Sequence, residues 1–191
     1  MLFRSTCGDS ALRSTALRSA YHALNAALPT IPEPSFAPGG VEPYARWRER
    51  KLAHYPRRAE DLIVEVRDPR NMSKTEVAQI HRLCRAANMA VYASRLSGVV
   101  DKDIPRCLGE RLGLAHLKGN LLADEDGISS IEVVPDKSSR GYIPYTNRRL
   151  LWHTDGYYNA PEQYIHAFIL HCVRPADAGG ENRVLDPEIE I

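Results

Sequence analysis

Between residues 62 and 112 the apolar positions change period twice, from the run Leu62-Ile63-Val64 with Val66 to the spacing of Val77, Ile80, Leu83, Cys84 and Ala87, and back again. The first run, ended by the turn signal Asp68-Pro69, predicts a strand over 62–66. The stripe behind Ser73 and Glu76 predicts a helix opened by a capping box and stopped at Asn88. Residues 89–92 predict a second strand. A second helix is expected to begin near Pro105, with Cys107, Leu108 and Leu112 inward and Gly113 at its end.

Downstream the helical period disappears. Residues 128–134 and 164–173 predict strands, and residues 141–147 make an extended, proline-broken approach to a further strand over 151–159. Gly179-Gly180 marks a turn. Strand, helix, strand, helix and then strands only is the order of a mixed α+β domain with a β-sandwich or barrel-like core.

Upstream, residues 44–55 predict a charged helix. Pro29, Pro32, Pro34, Pro38 and Pro43, with Gly39 and Gly40, exclude a helix or central strand over 29–43 and mark a linker. The expected organisation is an N-terminal extension and linker over 1–43 and a folded domain over 44–191. Leu12, Ala16, Ala20, Leu24 and Leu28 share a helical stripe, a better account of the first residues than a transit peptide, because Asp9 interrupts the basic pattern.

With 191 residues, 26% charged residues and a net charge of +1, the chain suits one domain of ordinary soluble composition. That balance supports neither a nucleic-acid nor a membrane partner. The longest uncharged apolar run, 167–173, is far short of the roughly 20 residues that span a bilayer. Arg46, Arg48, Arg50, Lys51, Arg57 and Arg58 form a local basic cluster, read as a solvated helix face because no aromatic platform accompanies it. The four cysteines, Cys7, Cys84, Cys107 and Cys172, are scattered without a Cys-x-x-Cys pair, which indicates reduced thiols and a cytoplasmic location. Cys172 beside His171 is no zinc pair, since neighbours on a strand face opposite ways. Asp124-Glu125-Asp126-Gly127 lacks the flanking ligands of a calcium loop and reads as a turn.

The candidate chemistry lies in Trp152-His153-Thr154-Asp155. In a strand, residues two apart point to one face, so His153 and Asp155 reach one metal ion together. An imidazole and a carboxylate are two of the three ligands of a 2-His-1-carboxylate iron site. Tyr157, Tyr158 and Asn159 follow closely enough to line a substrate pocket or to pack beside it.

This motif is followed by the apolar strand Ala167-Phe168-Ile169-Leu170-His171-Cys172, then Pro175-Ala176, Gly179-Gly180-Glu181-Asn182 and Asp186. The ordered combination resembles the TauD/TfdA-like Fe(II)/2-oxoglutarate-dependent dioxygenases, most strongly over 142–186. The resemblance implies a double-stranded β-helix, a jelly roll of the clavaminate synthase-like type, incomplete in this chain and preceded by an α/β lead-in. It implies Fe(II) on His153 and Asp155, and Asn182 where the family has a threonine that binds 2-oxoglutarate. It also implies dioxygen and a small-molecule substrate, one C–H bond of which is oxidised as 2-oxoglutarate becomes succinate and carbon dioxide.

The chain departs from the family after Asn182, where Arg183 is the only basic residue and there is no histidine. The distal histidine and the 2-oxoglutarate-binding arginine therefore have no assignment, and no catalytic residue is named. His166 or His171 could substitute in principle, but their odd separation puts them on opposite faces of a strand, and such residues are more often hydrogen-bonded strand histidines. The chain is expected to be the N-terminal part of such a domain, open to self-association or to a missing C-terminal half. The alternatives are a non-catalytic remnant acting as a binding or scaffold chain, and one half of a split enzyme.

Overall fold

A computed structural model describes residues 41–96, 98–114, 117, 126–133 and 142–189. Most of the expected extension and linker, Asp124 and Glu125 lie outside them. The chain divides into two compact units, Met1–Leu112 with His166–Ile191, and Gly113–Ile165.

In the first unit the elements run α1 (Val41–Ala53), β1 (Ile63–Glu65), α2 (Lys74–Ala87), β2 (Val91–Ala93) and α3 (Asp103–Arg111), with a 3-10 turn at Ala59–Leu62. β1 and β2 pair in parallel with Ile63 opposite Val91, Val64 opposite Tyr92 and Glu65 opposite Ala93. Parallel neighbours need a crossover, and α2 supplies it. Helix α2 opens as its sequence predicts. Ser73 Oγ accepts from Glu76 N–H at 3.2 Å, while the Glu76 carboxylate accepts from Ser73 N–H at 2.6 Å. Its other oxygen accepts from Arg67 N–H at 2.8 Å, which ties the helix start to the end of β1. These donors, led by the Ser73 contact, hold the Glu76 carboxyl below its usual range. The helix closes at Asn88, which takes the left-handed conformation at φ 55° and donates its N–H to Cys84 O.

Ile80, Leu83, Cys84 and Ala87 of α2 are buried together with Val64, Val66, Met89 and Ala90 of the strand region and Ile104 and Leu108 of α3. Arg70 fastens the start of α3 by placing Nε 2.8 Å and Nη2 2.5 Å from Asp101 Oδ2, while Asp101 Oδ1 accepts from Asp103 N–H. Gly113, at φ 82°, follows the end of α3 as expected.

Three expectations are corrected. Helix α1 begins at Val41 and takes in Pro43, because proline in a first helical turn removes a donor that has no partner there. The basic cluster is not simply a solvated face. Lys51 is 4% exposed, Arg48 Nε donates to Ile189 O, and Arg46 and Arg58 pair with Glu42 and Asp61. The predicted strands at 128–133, 151–159 and 164–173 are not formed among the described residues, which hold one two-stranded sheet. Residues 165–173 keep the period of a strand, with Ile165, Ala167, Ile169, His171 and Val173 half-buried and His166, Phe168, Leu170 and Cys172 exposed. Alternation needs only extended backbone, whereas a strand needs a paired neighbour, and here a single bridge forms at Ala167.

Ser73→Ala is expected to destabilise the fold by about 1 kcal/mol in urea unfolding. Glu76→Gln should cost stability at neutral pH. Because the folded carboxyl is held low, its contribution is present above the ordinary carboxyl value and vanishes as pH falls through the depressed one. The two unfolding curves should therefore converge in acid.

Candidate metal centre

In the second unit, Tyr145 is buried within the 3-10 turn Ile143–Tyr145 and anchors the approach to the motif. Thr146 then works twice, its hydroxyl donating to Ile143 O at 2.8 Å and accepting from Arg148 N–H at 3.1 Å. Residues 155–158 form a turn closed by Asn159 N–H on Gly156 O at 2.9 Å, and Asn159 Nδ2 donates to Gln163 O at 3.0 Å. Gly156 is required in it. Its φ is 68°, and a Cβ there would lie 2.6 Å from Ile165 Cδ1 and 2.8 Å from Asn159 Nδ2.

The predicted ligands lie at the entrance to that turn, and not in a strand. His153 Nε2 lies 3.8 Å from Asp155 Oδ1, with the side chains 44% and 51% exposed. His153 Nδ1 sits 2.8 Å from Leu151 O. A backbone carbonyl at Nδ1 takes the ring proton there and turns the Nε2 lone pair outward, the usual arrangement for a metal-binding imidazole. Ligand distances of about 2.0–2.2 Å set two neighbouring donors about 3 Å apart, so an ion draws this pair together by less than about 1 Å. The donor types and their convergence fit two positions of an iron site. Among the described residues no group of three or more His, Cys, Asp or Glu converges to complete one.

Large apolar side chains flank the pair in the open. Trp152 is 66%, Tyr157 78% and Tyr158 72% exposed, and the two tyrosine rings meet edge to face at 5.2 Å. Asn182 belongs to the other unit. It is exposed, and among the described residues its one hydrogen-bond partner is Gly180 O, 3.5 Å from Nδ2.

Two clusters of the first unit escaped the sequence reading. His171, 79 residues from Tyr92, places Nδ1 2.5 Å from the phenol oxygen, with the rings stacked at 6.1 Å. Its Nε2 is buried with no partner among the described residues. Burial lowers the His171 pKa, opposed by the Asp101 carboxylate, because enclosure strips water from the charged ring. Burial pushes the Tyr92 phenol up to about 12. Nothing local in the sequence announces this pair. The second cluster surrounds Lys51, whose Nζ lies 2.7 Å from Glu188 Oε2 and 2.7 Å from Asp186 Oδ2. A signal did exist for it. Tyr44, Trp47, Lys51 and Tyr55 share one helical face, so a lysine sits in an aromatic stripe.

No protein-family model, curated protein or solved structure matches the chain. Among the described residues no helix is long and apolar enough to cross a membrane.

Gly156→Ala should open the turn, and faster amide exchange at Asn159 would report it. Tyr92→Phe is expected to cost about 1–3 kcal/mol by leaving His171 Nδ1 unpaired. Because the folded His171 pKa is lowered, its contribution to stability is complete above the ordinary imidazole value of about 6.5 and declines as pH falls through the depressed value. His171→Gln should remove that step from a plot of stability against pH.

Proposed function

We propose that the chain contributes the first two iron ligands, His153 and Asp155, of a TauD/TfdA-like Fe(II)/2-oxoglutarate-dependent dioxygenase. The observation that carries this is the convergence of His153 Nε2 and Asp155 Oδ1 to 3.8 Å while Nδ1 is turned onto the Leu151 carbonyl. The ordered motif from Trp152 to Asp186 supports the same reading, and with it a double-stranded β-helix as the parent fold. Iron, 2-oxoglutarate and dioxygen together supply oxidation of a C–H bond of a small molecule. This chain's own part is to hold the ion's first face and to present Asn182, whose amide keeps a donor for the 2-oxoglutarate carboxylate. The free thiols of Cys84, Cys107 and Cys172 support a cytoplasmic setting.

Anaerobic Fe(II) titration of the purified chain tests the reading. His153→Ala and Asp155→Ala should each weaken binding by about tenfold or more. Equal affinity in the parent and both variants, or no binding by the parent, would favour a non-catalytic binding chain instead. With two protein ligands, succinate release from 2-oxoglutarate by this chain alone should remain at background.

A further inference from the structure

Residues 174–185 form a strap whose every residue is exposed, and at Asp186 exposure falls abruptly to 2%. The strap is fixed at its two ends. At Val173 the carbonyl accepts from Gly98 N–H at 2.8 Å. At Asp186, Oδ1 accepts from Asn88 Nδ2 at 2.9 Å and from Glu188 N–H at 3.1 Å. Oδ2 lies 2.7 Å from Lys51 Nζ outside hydrogen-bond geometry, so that contact is ionic. Glu188 adds a second carboxylate to the same ammonium, and its carbonyl accepts from Tyr44 Oη at 2.8 Å. The Trp47 ring lies 5.1 Å from Nζ on another side. Burial and the neighbouring Asp186 and Glu188 carboxylates raise the Tyr55 phenol pKa, which keeps that wall neutral.

We propose that Lys51 is a positioning residue for Asn182: by clamping Asp186 and Glu188 onto α1 it holds the far end of the strap in place. Asn182 is four residues from Asp186 and nine from Val173. An extended chain reaches at most about 14 Å over four residues and about 30 Å over nine. The nearer anchor is therefore the one that limits where Asn182 can go, and loosening it leaves the longer tether from Val173. Helix α1 is in this way part of the Asn182 site, although its residues lie more than a hundred positions earlier in the chain. The strap's path stands on the contacts alone; its consequence for a bound carboxylate rests on the reading of Asn182 given above.

A nitroxide label at Glu181→Cys, in the full chain with its four cysteines replaced, reads the strap directly beside Asn182. Lys51→Met should shorten the label's rotational correlation time severalfold while circular dichroism stays that of the parent. Lys51→Met combined with Asp186→Leu removes both charges and fills the space. It should recover the parental melting temperature yet leave the label mobile, because Asn88 Nδ2 and Glu188 N–H have lost their acceptor. An unchanged label in Lys51→Met, or a label immobilised again in the double variant, would overturn the proposal. Adding 2-oxoglutarate with Mn(II) to the labelled parent separates the two questions: an unaltered spectrum counts against the cosubstrate reading of Asn182 and leaves the clamp standing.

Discussion

An ammonium group cannot be buried without its counter-charges, and Lys51 is buried. Taking such an ion out of water costs several kcal/mol even after the protein relaxes, and attraction to well-placed carboxylates offsets it only where the geometry is good. Asp186 and Glu188 meet that need at 2.7 Å each, from a segment about 135 positions later in the chain. The first unit is therefore closed in part by residues 186–188. Removing one member of such a set costs about 3–5 kcal/mol, a large share of what a domain this size has in reserve. The hydrophobic core between α2, α3 and the two strands sets what kind of unit this is, while the clasp decides which distant piece of chain belongs to it.

Local signals in the sequence were reliable and distant ones were not visible. The capping box at Ser73 and Glu76, the stop at Asn88, the strand near Leu62 and the helix around Pro105 all depend on residues within a turn or two of one another. Each is found within a few positions of where the pattern puts it. The later strands failed for a physical reason. Residues 165–173 alternate correctly, but pairing requires a neighbour that no stretch of nine residues can specify. Lys51 was misread because charge in a helix is ordinarily solvated, and because Tyr44, Trp47 and Tyr55, spaced around it at helical intervals, were passed over.

The same division applies to the candidate site. His153 and Asp155 come together because they are two residues apart in extended chain, which is within reach of sequence reasoning even though no strand forms there. What the pair would need from elsewhere, a third donor and a cosubstrate clamp, is non-local. The Tyr92–His171 contact makes the point in reverse. An imidazole that looks in sequence like a spare ligand is already engaged at one nitrogen and enclosed at the other.

Asn88 shows how two demands narrow one position. Its backbone must take a left-handed turn to end α2, and its side chain must donate a hydrogen bond to Asp186. Glycine meets the first demand best and fails the second. Glutamine and serine can donate but lack asparagine's tolerance of that backbone, and aspartate, which has the tolerance, would set a like charge against Asp186. Asparagine satisfies both at little strain, so the choice at this position is made jointly by a helix end and a partner nearly a hundred residues away.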